Sequence, residues 1–69
     1  NMILVFEVSP NIASAMVEIQ VGQNLPIDIK ICESNGRKEV TLLFNEEHES
    51  IAHKLCADSI TKVVKALNL

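Results

Sequence analysis

Aromatic residues are almost missing from this chain: Phe6 and Phe44 are the only two, and it has no Trp or Tyr. Carbohydrate platforms, base-stacking surfaces and aromatic cages all need ring faces, so each is disfavoured from the outset. Basic charge is short as well, with six Lys and Arg against nine Asp and Glu for a net charge of −3, which argues against nucleic acid as a partner. Only two cysteines occur, Cys32 and Cys56, where a secreted mini-protein of this size usually carries four or more. Cys32 falls in a strand pattern and Cys56 in a helical one, so two free intracellular thiols are expected. The longest apolar run, Met2 to Phe6, is far below the roughly 20 residues that span a bilayer, and no basic leader with a long apolar stretch precedes it. The expectation is a soluble, cytoplasmic protein without an integral membrane segment. Asn1 ahead of Met2 reads equally as a cloning residue before a native start or as a cut within a larger protein.

What is present is apolar: 48% of 69 residues, enough for one small core and too much for a disordered tail. One domain spanning 1–69 is expected. A domain this small buries only about 60% of the surface of its unfolded chain, so a partner surface is a common source of added stability.

The clearest local signal lies in the middle. Ile27, Ile29 and Ile31 alternate with Asp28, Lys30 and Cys32; after Ser34-Asn35-Gly36-Arg37, Val40, Leu42 and Phe44 alternate with Thr41 and Leu43. Asn-Gly between alternating runs specifies a two-residue type I′ turn, which needs positive φ at both positions. With those two residues as the loop, Ile31 faces Val40, Ile29 faces Leu42, Ile27 faces Phe44, and Glu33 meets Lys38. A slip of one residue would scatter the apolar set over both faces.

From Glu46 to Leu69 the pattern is one long amphipathic helix with Asn45 as its N-cap. Glu46, Glu47 and Glu49 open it and Lys62 and Lys65 close it, the distribution favoured by the helix dipole. Ala52, Leu55, Cys56, Ile60, Val63, Val64 and Leu67 form its apolar stripe, and Asp58 stands four residues before Lys62 as an intrahelical pair.

Met2–Val8 reads as a buried strand. Residues 12–21 admit two readings. Ala15, Val17, Ile19 and Val21 alternate with Met16, Glu18 and Gln20, and the β-branched residues favour a strand. The competing helix runs from Pro10 to Val21, with Ser9 as N-cap, Pro10 at its first position and Gly22 just past its end. The orders ββββα and βαββα follow. Either makes an α+β fold: a small, mostly antiparallel sheet of three to four strands, with the 27–44 hairpin and one long C-terminal helix packed on one face.

Chemistry-bearing residues are sparse. His53 and Cys56 share a helix face, and with Cys32 they count three possible zinc ligands; the hairpin register, however, sends Cys32 to the opposite side of the sheet. Cys56 with His53 as its base is the one conceivable catalytic pair, yet Gly22 and Gly36 belong to turns and no glycine-rich loop exists to cradle an anion. The expectation is therefore no enzyme, no metal and no cofactor. Arg37 and Lys38 at the hairpin tip stand beside Glu33 and Glu39, so the local field is nearly neutral and a lipid headgroup is disfavoured.

The residues left over are apolar. Met2, Leu4, Val5, Phe6, Met16 and Leu43 exceed what one helix can cover on one sheet face, which points to a non-catalytic protein–protein association module bound to a partner or to a second copy of itself. The order of hairpin and terminal helix, Ile27–Phe44 and Glu46–Leu69, also resembles the closing half of pleckstrin-homology-like domains and is similar to the tail of C-terminal kinase-associated domains. That resemblance implies a regulatory module meeting a peptide or membrane surface. The lipid-binding surface of such families is basic, whereas this chain is acidic.

Overall fold

The computed structural model describes residues 1–68 and has the order βαββα. Strand β1 (Met2–Val8) leads into helix α1 (Pro10–Gln23); strands β2 (Asp28–Ser34) and β3 (Arg37–Phe44) follow, then a single 3-10 turn (Glu46–His48) and helix α2 (Glu49–Leu67). The sheet is antiparallel with order β1-β3-β2, so the last strand in sequence is central and both others are edges.

The β2–β3 register follows from the turn between them. Ser34 pairs with Arg37, Ile31 with Val40 and Ile29 with Leu42, around Asn35 (φ 52°) and Gly36 (φ 78°). Positive φ at both loop residues matches the right-handed twist of the strands. Lys38 Nζ donates to Glu33 Oε2 at 3.1 Å, as the pairing requires. β1 extends the same rows on the other side of β3, with Phe6 beside Val40, Leu4 beside Leu42 and Met2 beside Phe44.

Residues 12–21 are helical, which corrects the strand expectation and selects βαββα. Ser9 Oγ accepts from the Ile12 amide at 3.3 Å, and Pro10 occupies the first turn, where its missing N–H is no loss. The helix ends two residues later than Gly22 would place it. Asn24 adopts the left-handed conformation (φ 49°, ψ 51°), and the Leu25 amide donates to the Gln20 carbonyl at 3.0 Å, closing a Schellman motif. The β-branched residues that argued for a strand, Val17 and Val21, face outward at 38% and 68% exposure. Burial of Ala13, Ala15 and Met16 on the other side outweighs the few tenths of a kcal/mol that each valine loses in a helix.

Both helices lie on one side of the sheet. Ala13 and Met16 from α1 and Ala52 and Leu55 from α2 pack with Ile27, Val40, Leu42 and Phe44 into a single core. The terminal helix begins less tidily than expected: Asn45 makes no side-chain cap, and residues 46–48 form a 3-10 turn ahead of the α-helix. Leu69, the last residue of the expected helix, lies outside the described residues. No helix among the described residues is long and apolar enough to cross a membrane.

Candidate functional site

Burial is uneven across the sheet, and the unevenness defines the site. The inward residues of central β3 (Val40, Leu42 and Phe44) are fully buried, whereas those of β1 (Met2, Leu4, Phe6 and Val8) are only half-buried. Beside β1 the two layers part, leaving an apolar cleft of about 300 Å³. Leu4, Phe6 and Val8 form its floor, Ile12 and Met16 of α1 reach into it, and His53, Cys56, Ser59 and Ile60 of α2 wall it.

The outer face of β1 is apolar too. Ile3 and Val5 are 62% and 57% exposed on the face that no helix covers. There Ile3 lies beside Leu43 and Val5 beside Thr41, so a patch of Ile3, Val5 and Leu43 runs from β1 onto β3. It ends where Asp28 and Lys30 of β2 continue the same rows. Glu7, the one charge on β1, sits opposite Glu39 and is offset by Arg37, Nε to Oε1 3.7 Å.

α2 continues this surface beyond the sheet. Of its expected stripe, Ala52 and Leu55 are buried and Cys56 and Val63 are half-buried, but Ile60, Val64 and Leu67 are 49%, 48% and 75% exposed. These three recur at i, i+4 and i+7 on the flank that carries His53 and Cys56, turned away from α1. The flank toward α1 holds the charges instead: Lys62 Nζ donates to Glu18 Oε2 at 2.6 Å, and Lys54 Nζ to Asp58 Oδ2 at 2.8 Å. Asp58 is thus partnered by Lys54, and the expected Asp58–Lys62 pair does not form.

The six residues singled out in the sequence therefore separate. Val5 and Leu43 lie on the uncovered sheet face, and Leu4 and Phe6 on the cleft floor. Met2 faces inward and is half-buried; Met16 is fully buried in the core, so it is no surplus surface. Ile3, Ile60 and Val64 were missed. Ile3 is legible as part of an apolar run, while the helical stripe that includes Ile60 and Val64 is buried only in part.

The residues with chemical potential are divided between the two sides of the sheet. Cys32 is exposed on the open sheet face, remote from Cys56 and His53 on α2. No cluster of three His, Cys, Asp or Glu among the described residues could hold a metal ion. Burial pushes the Cys56 thiol above its ordinary value of 9.0, partly offset by a backbone hydrogen bond, and so keeps it protonated rather than nucleophilic. His53 is exposed and near Glu49, Nε2 to Oε2 3.8 Å. The buried Ser59 hydroxyl donates to the Cys56 carbonyl at 2.8 Å, its bond turned into its own helix. No protein-family model, curated protein or solved structure matches the chain.

Proposed function

We propose that the protein is a non-catalytic association module that binds another protein along β1. One observation carries this reading: β1 is an edge strand that is apolar on both faces and incompletely covered on each. Strands of that composition normally lie inside a sheet, and natural edges are guarded by charge, proline or short length. The opposite edge, β2, follows that practice, with Asp28, Lys30 and Glu33 along it and Pro26 just before it.

Val5→Lys tests the reading. It places a charge on the exposed face of β1, where the isolated fold tolerates it and an apolar contact does not. We expect the variant to keep the parent's circular dichroism while losing the parent's self-association, or losing every protein that the immobilised parent retains. A parent that stays monomeric at millimolar concentration and retains nothing the variant does not also retain would refute the proposal.

A further inference from the structure

We infer that the occupant of this edge is a second copy of the chain, joined by antiparallel pairing of β1 with β1 about a two-fold axis through Val5. The inference rests on the association reading above and names its partner.

β1 is complementary to a second copy of itself. β1 spans Met2–Val8, so a two-fold axis at Val5 is the only one that pairs all seven residues. Met2 then faces Val8 of the second copy, Ile3 faces Glu7 and Leu4 faces Phe6. Each of these pairs joins residues of the same sheet face, as antiparallel neighbours must. No like charges meet: Glu7 stands opposite Ile3 and keeps Arg37 beside it.

The pairing also makes the apolar surfaces of the two copies continuous. A two-fold axis perpendicular to the sheet keeps the helices of both copies on one side. The result is a six-stranded sheet carrying four helices. The two clefts then merge across the axis, with Leu4 and Phe6 of each copy packed on Phe6 and Leu4 of the other. The Ile60 and Val64 flanks of the two α2 helices come to face each other above them. From Cys56 to Leu67 that flank has no charged residue, in keeping with the charge depletion of interface centres, while Glu49 and His53 lie at its N-terminal end. Pairing would cover the exposed Ile60 and Val64 of α2 together with the cleft and the strand edge, while Ile3 and Val5 stay on the open face of the joined sheet. The arrangement is also closed. Two-fold pairing consumes both copies' β1 edges and leaves only charged β2 edges outside, so assembly stops at two.

Cysteine cross-linking reads the register directly. In a Cys32→Ser/Cys56→Ala background shown to fold by circular dichroism, mild oxidation of Val5→Cys should give a disulfide-linked species of twice the chain mass. Directly paired α-carbons lie about 4.5–5.5 Å apart, within disulfide reach. Ile3→Cys alone should stay single, because its symmetry mate lies four residues along the strand, about 13 Å away. Ile3→Cys mixed with Glu7→Cys should cross-link. Independently, Val64→Lys should return the light-scattering mass of the otherwise unaltered chain from two copies to one without loss of helix content. Cross-linking of Val5→Cys no faster than of Ile3→Cys overturns the arrangement. A parent of one-chain mass at millimolar concentration overturns the second copy, as does such a parent that saturably binds an apolar dye in the cleft. The broader association reading survives a one-chain mass if the immobilised parent retains a protein that Val5→Lys loses, so the two can fail separately.

Discussion

Lys62 reaches from α2 to Glu18 of α1, Nζ to Oε2 2.6 Å, and forms the one hydrogen-bonded ion pair that joins the two helices among the described residues. It explains why Asp58 is left to Lys54. Both ends of the pair are more than half exposed, so water screens the attraction and two long side chains lose freedom in making it. A double-mutant cycle of Glu18→Ala and Lys62→Ala is expected to give a coupling below about 1 kcal/mol, falling with added salt. A coupling of several kcal/mol would mean that the helices are held by charge rather than by the core beneath them.

The two glycines should respond in opposite directions. Gly36 has φ 78° and open space around it, so a side chain there meets no atom but strains the backbone. Gly36→Val is expected to cost about 1–3 kcal/mol. Gly22 lies in the last turn of α1, also with nothing within 4 Å of an added Cβ and without a positive φ. Gly22→Ala should therefore stabilise by roughly 0.5 kcal/mol through reduced freedom of the unfolded chain. Urea denaturation of the two variants checks both signs; a Gly22→Ala loss would restore Gly22 to the helix-terminating role that Asn24 holds.

Local signals carried the sequence reading where the structure is local. Asn35-Gly36 and the alternating apolar residues specify a register that holds from Ser34–Arg37 at the turn to Asp28–Leu43. Ser9-Pro10 announced the start of α1 just as clearly, but four alternating residues pointed to a strand. Only the packing of Met16 and Ala13 against β3 and α2 decides between them. The position of β3 between β1 and β2 is tertiary and has no signature in the chain. For the site, the two-faced apolarity of Leu4 and Val5 was readable because it is a property of one strand. The exposure of Ile60 and Val64 was not readable, since a helical stripe does not reveal how wide a sheet lies under it.

Cys56 gives the fold a pH dependence with a defined sign. Its thiol is pushed above 9.0 chiefly by burial, so the folded state favours the protonated form more than the unfolded state does. The contribution is fully present below the unfolded value and is lost as pH rises through the folded value. Stability measured from pH 8 to 11 should therefore fall more steeply in the parent than in Cys56→Ala. At pH 8, alkylation should label exposed Cys32 first and Cys56 only slowly. Equal labelling rates would show that the thiol at the cleft wall is not shielded.

Met16 and Val17 are adjacent, and the two readings of residues 12–21 assign them opposite fates. In a strand, Val17 would join Ala15, Ile19 and Val21 on the core face while Met16 pointed away with Glu18 and Gln20. In α1, Met16 is 0% exposed at the centre of the core and Val17 is 38% exposed on the outer side. Met16→Ala removes a fully enclosed side chain and leaves a void, at an expected loss of about 2–5 kcal/mol. A domain of this length holds only roughly 3–10 kcal/mol in total, so that single change should melt much of the population near 37 °C. Val17→Ala gives up a partly exposed side chain but gains about half a kcal/mol of helix propensity, and should sit within about 0.5 kcal/mol of the parent. Thermal melts of the two variants are sufficient. If Val17→Ala were the damaging change and Met16→Ala the silent one, this segment would be a strand and the cleft, one wall of which is α1, would not exist.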